Sequence, residues 1–238
     1  ATYPRIWYGN AARLQQARTY FQTTPFTPSG SDASELAASR ALHSLMTQNP
    51  AECTTGSPSP VAHLVAWNAN TQPGGFRDAM RQQGDSLLAV YDWCHGSLTP
   101  SQITTLVARW NGYMDTENAD SFANRGSGAN NYFWGRERNQ LWWGITTFGE
   151  NARAQEFINH ALDIRYAQWF NEWYTDFGRG GLFAEGPDYG SVQLSYPILA
   201  FQSAADYGFD PYNANPFFRE AIYALIYMAT HGGRMPGE

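Results

Sequence analysis

Two stretches of the sequence gather side chains that could do chemistry. Residues 181–196 read GLFAEGPDYGSVQLSY and set Glu185, Asp188 and Tyr189 among closely spaced glycines, with Pro187 stiffening the turn. Residues 128–144 read GANNYFWGRERNQLWWG and put two amides, Asn130 and Asn131, at a helix start. At helical spacing, Asn130, Trp134, Glu137 and Leu141 share one face, and Asn131, Trp134, Arg138 and Trp142 share the next. A tyrosine fixed in a rigid loop suits proton transfer. Its phenol titrates near about 10, so a base role needs neighbouring cations, for which Arg136, Arg138 and Arg179 are candidates. Each group also has a purely structural reading. Asn130 can cap its helix, Asp188 or Ser191 can cap the next one, and Tyr189 can simply pack at a helix start.

Composition narrows the classes. The 238 residues carry 15 basic and 21 acidic side chains, a net charge of −6, which is not the basic excess of a general nucleic-acid binder. Aromatic residues reach 16%, enough to supply both a core and faces for sugar rings. The five histidines, His43, His63, His95, His160 and His231, form no metal-ligand motif. His63 follows a Ser/Pro loop and is the one placed to face a cleft. No phosphate-binding loop, nucleophile elbow or dinucleotide fingerprint is present, so no metal and no cofactor is expected. No run of apolar residues is long enough to span a membrane. Cys53 and Cys94 allow one disulfide, and two buried free thiols fit equally well. The start at Ala1 and the cysteine pair point to an exported protein, periplasmic or extracellular.

The elements that must hold these groups read as helices almost throughout. Leu14, Ala17 and Phe21 recur at helical spacing, as do Phe76, Met80, Leu87, Val90 and Tyr91. Ser31 or Asp32 caps one helix, with Glu35 near its third position, and Thr99-Pro100 opens another. Pro197 should kink the helix after the glycine-rich loop or mark its late start. Short turns between helices imply antiparallel pairs, and no alternating strand pattern is found. The expectation is an all-α fold, an incomplete α/α toroid of antiparallel helix pairs, forming a single domain over 1–238.

In order along the chain, four segments resemble the helical domain of heparinase II/III-like and alginate or oligoalginate polysaccharide lyases. They are YPRIWYGNAARLQQAR, the Tyr-Asp-Trp helix LLAVYDWCHGSLTPSQITTLVARW, the asparagine helix NNYFWGRERNQLWWGITTFGEN, and GGLFAEGPDYGSVQLSY with its Glu-Gly-x-x-Tyr loop. The resemblance implies β-elimination on uronate-containing glycans. It makes Tyr189 the proton-transfer residue and Asn130 the amide that neutralises the uronate carboxylate. Asn131, Trp134, Arg138, Trp142, Arg179, Glu185 and His63 would contact an acidic polysaccharide or oligosaccharide. It also implies a C-terminal β-sandwich domain that this chain lacks, so that the 238 residues would be the N-terminal part of a longer lyase. One departure stands out: family members often follow the asparagine with His, and here Asn131 follows Asn130. Two other functions remain open from the residues themselves. One is a glycoside hydrolase on an α/α scaffold, with Glu185 or Asp188 as acid or base. The other is a non-catalytic glycan-binding domain.

Overall fold

The structure, a computed structural model, describes residues 2–124 and 129–228, with the side chains of 187–193 outside the description. The described residues contain no strand and form eleven α-helical segments. They are α1 (Ala11–Thr23), α2 (Ala33–Thr47), α3 (Pro60–Ala66), α4 (Gly75–Trp93), α5 (Pro100–Ala119), α6 (Asn131–Thr147), α7 (Ala154–Asn159), α8 (Asn171–Trp173), α9 (Gly186–Ala205), α10 (Pro211–Ala214) and α11 (Phe217–Met228). Wider π-type turns over His160–Phe170 join α7 to α8 in one continuous rod.

The caps form largely where short-range chemistry puts them. Asp32 accepts the N–H groups of Ser34 and Glu35. Thr99 and Gln102 close a reciprocal capping box with Pro100 in the first turn. The helix after the glycine-rich loop differs from expectation. It starts at Gly186, so neither Asp188 nor Ser191 is its cap residue, and it continues through Pro197 to Ala205.

Helix α6 is the axis of the fold. All of its residues except Tyr132 are buried. It runs parallel to α4, since Arg81 lies against Gly135 near one end and the Tyr91 and Trp143 rings meet 5.4 Å apart near the other. It runs parallel to α9, with Arg138 over the Tyr196 ring and Trp142 Nε1 donating to Ser203 Oγ at 3.1 Å. Helix α2 joins this set: Gln83 donates to Asp32 at the start of α2, and Cys53, just past the end of α2, bonds to Cys94 at the end of α4. The intervening helices run the other way. On α5, Asn111 meets Trp143 and Glu117 meets Arg136; on the α7–α8 rod, His160 meets Gln140 and Phe170 meets Trp134. Four parallel helices thus start at one end of the molecule, at Ala33, Gly75, Asn131 and Gly186.

The opposite end is locked by the N-terminal segment. Buried Asp92 accepts the backbone N–H of Arg5 at 3.0 and 2.9 Å and that of Ile6 at 3.2 Å. Burial pushes the Asp92 carboxyl up to about 7, although those N–H groups and Arg5 pull it down. Arg5 in turn donates to the carbonyls of Thr146 and Phe148, covering the C-terminus of α6. The Asp of the Tyr-Asp-Trp segment therefore serves the fold.

The disulfide joins residues 41 apart in sequence. A loop of that length should stabilise the fold by about 4 kcal/mol through restriction of the unfolded chain. Replacing both Cys53 and Cys94 by Ser should lower the denaturant-unfolding free energy by about that much, and unchanged stability would show that the bridge contributes nothing.

Candidate functional site

The two motif segments meet. Glu185, the residue before α9, accepts the backbone N–H of Asn131, the first residue of α6, at 2.7 Å. That N–H has no partner within its own helix, so the carboxylate satisfies it and favours the positive end of the α6 dipole. Asn130 caps the same helix, its Oδ1 accepting from Phe133 N–H at 2.9 Å. The cap uses only the oxygen, and it fixes the amide so that Nδ2 stays available as a donor. Asn131 is buried, and its Oδ1 accepts nothing among the described residues. The start of α9, including Tyr189, lies one turn from this junction along the backbone, and the Tyr189 and Asp188 side chains lie outside the described residues.

Glycine geometry holds the loop in place. Gly181 has φ +76°, and a Cβ there would lie 2.1 Å from the Ala221 nitrogen of α11. No side chain fits in that approach, so the loop can sit against α11 only as glycine.

Several expected substrate contacts are structural instead. Trp134 and Trp142 are 2% and 1% exposed, packed against Phe170, Phe201 and Phe218 or against Trp7, and offer no ring face to a sugar. Arg138 is fully buried. It pairs with Asp85 at 3.0 Å, donates to the Arg81 carbonyl and stacks on Tyr196, so its donors are spent on α4 and α9. Arg136 closes the C-terminus of α5 by donating to the carbonyls of Glu117, Asp120 and Phe122. His63 is half-buried and shares a hydrogen bond of 3.0 Å with Ser34 Oγ, and burial lowers its pKa, with Asp32 opposing. Arg179 is exposed at the loop, close enough to Tyr174 to act on its charge.

Other residues occupy the end of the molecule where the parallel helices start. Tyr132 is partly exposed, donates its hydroxyl to Asp78 and lies under the Arg81 guanidinium, 4.6 Å from its ring centroid. The hydrogen bond to Asp78 and burial raise its pKa. Phe122 is 42% exposed, set edge-on to Tyr132, with Arg77 over its ring. Sequence reasoning passed over this group. Its signal was the YF pair directly after the two asparagines and the Arg77–Arg81 spacing on the α4 face, which becomes meaningful only once α4 lies beside α6.

A separate cavity of about 390 Å³ opens at the opposite end, between the C-terminal half of α6, the α7 rod and the end of α9. Leu141, Ile145, Ile158, Leu162 and Phe209 line it, and none of the predicted catalytic or substrate-contact residues is among its described lining. Among the described residues no three His, Cys, Asp or Glu side chains are grouped to hold a metal ion, and no helix is long and apolar enough to cross a membrane. No family model, no curated protein and no solved structure matches the chain.

The burial of Arg138 carries its own test. Arg138→Ala should cost about 3 kcal/mol or more in unfolding free energy, because it strips a buried donor set from Asp85, the Arg81 carbonyl and Tyr196. A variant of unchanged stability would return Arg138 to the list of substrate contacts.

Proposed function

We propose that this chain is the helical part of a polysaccharide lyase that cleaves uronate-containing glycans by β-elimination at the end where α2, α4, α6 and α9 begin. The observation that carries the reading is the 2.7 Å hydrogen bond from Asn131 N–H to Glu185, which brings the asparagine helix and the Glu-Gly-x-x-Tyr loop side by side. Parallel helices alternating with antiparallel ones also suit an α/α toroid, with the parallel set innermost and a glycan cleft at its rim. A β-sandwich partner domain and an exported setting belong to the same reading.

The chemistry follows from the side chains. Asn130, its oxygen held by the cap, would turn Nδ2 towards the uronate carboxylate and stabilise the charge that grows there when the C5 proton leaves. Tyr189 would take that proton as phenolate and return one to the leaving oxygen as the C4–O bond breaks, leaving a C4=C5 double bond. Arg77 is held by Asp120 through two hydrogen bonds and Arg81 pairs with Asp78, so what this group would offer a sugar is the exposed ring surface of Phe122 and part of that of Tyr132. Glu185 holds the two segments together in this mechanism and transfers no proton. Its replacement by Gln keeps an acceptor for Asn131 N–H and should spare elimination, whereas a hydrolase using Glu185 as acid or base would be inactivated.

The test is a screen of uronate glycans for the ultraviolet absorbance of the new conjugated double bond. In a reactive preparation Tyr189→Phe should cost at least ~10²-fold in turnover. Asn130→Asp keeps an N-cap oxygen and removes the donor, so stability should hold while elimination collapses. New reducing ends without the absorbance would replace the lyase by a hydrolase. Near-normal elimination by Tyr189→Phe would remove the mechanism's centre.

A further inference from the structure

The core of α6 contains an acid that the proposed chemistry does not use. Glu137 is fully buried, and neither carboxyl oxygen has a hydrogen-bond partner among the described residues. The nearest cations are Arg165 from the π-wound rod and Arg138 from its own helix. Both donate elsewhere: Arg165 to the Ala123 carbonyl and Asn124 Oδ1, Arg138 to Asp85 and the Arg81 carbonyl. Tyr166 on the rod and Tyr212 on α10 face Glu137, with Asp210 beside both, and neither brings positive charge. Within electrostatic reach of the same Arg165, α5 supplies a second buried acid, Glu117.

The two acids are not equivalent. Glu117 receives the Asn139 amide at 3.5 Å and stands near Arg136, Arg165 and Arg138. It is the better site for the one negative charge that balances Arg165. A second buried charge at Glu137, without a hydrogen bond, would cost far more than a neutral carboxyl there.

We propose that Glu137 keeps its proton in the folded protein at neutral pH, so that folding takes up a proton and the fold weakens as the solution becomes alkaline. Burial raises its pKa to about 8, with Arg165 and Arg138 opposing, and that of Glu117 to about 7. The unfolded carboxyl titrates near about 4.3. Because the folded value is the higher, the stabilisation is fully present below the unfolded pKa and is lost as pH rises through the folded one.

The experiment compares equilibrium unfolding of the wild type and Glu137→Gln from about pH 5 to about 9. Gln has nearly the same shape and never ionises. The unfolding constant of the wild type relative to the variant should rise tenfold per pH unit up to about pH 8 and then level off. A ratio independent of pH would mean that Glu137 is ionised in the fold and would overturn the proposal. Glu117→Gln should give a window ending about one unit lower. If Glu137→Gln fails to fold, infrared spectroscopy of the wild type decides by titration midpoint: a buried protonated carboxyl that persists until about pH 8, beyond the loss of Asp92 and Glu117 at about 7, supports the proposal, and the absence of that last step overturns it. None of these outcomes depends on whether the protein is a lyase.

Discussion

Helix α6 can be buried from end to end only if its neighbours satisfy the polar groups it carries. Five consecutive residues, Arg136 to Gln140, are charged or amide-bearing, and all five are buried. Four of them bond to neighbouring helices, and Glu137 makes no hydrogen bond among the described residues. Arg136 and Asn139 reach α5 and α4, Arg138 reaches α4 and stacks on α9, and Gln140 reaches His160 on the rod. A desolvated guanidinium or amide without partners would cost more than one core contact returns, so these bonds specify which helix lies on which side. The aromatic core then fills what remains: Trp134, Phe170, Phe201 and Phe218 pack edge to face in one cluster.

The same constraint sorts the ends of the molecule. At one end Asp92 and Arg5 consume the backbone donors and acceptors of the N-terminal segment and the α6 C-terminus, leaving a tied-off surface around an apolar cavity. At the other, the parallel helices present their first, unpaired N–H groups together. There Glu185 and the Asn130 cap satisfy some of them, and exposed Phe122 and partly exposed Tyr132 stand beside Arg77 and Arg81. The concentration of N–H donors at that end arises from helix direction before any single residue is considered, and the Arg77 and Arg81 guanidinium groups beside it pair with Asp120 and Asp78. Buried Glu137 lies two turns in from this end and belongs to the core's electrostatics.

The sequence by itself determined the all-α class, most helix positions and the cap at Thr99, and it narrowed two further caps to Ser31 or Asp32 and to Asn130 as one of its two readings. These depend on contacts within four residues, which a linear pattern records directly. It also marked the two segments that meet through Asn131 and Glu185. What it could not decide was exposure. Trp134, Trp142 and Arg138 recur at the spacing of an amphipathic face, but α6 has no solvent face, because α4, α5, the rod and α9 surround it. Which tryptophan stacks on a neighbour and which arginine is spent on a carboxylate depends on residues 50 or more positions away, as with Asp85 and Arg138 or Trp142 and Ser203. Only the tertiary structure decided that the Cys53 and Cys94 thiols meet and that the Tyr132, Asp78 and Arg81 side chains form one group. Burial and pairing belong to the packed assembly of helices, and no single helix carries that information.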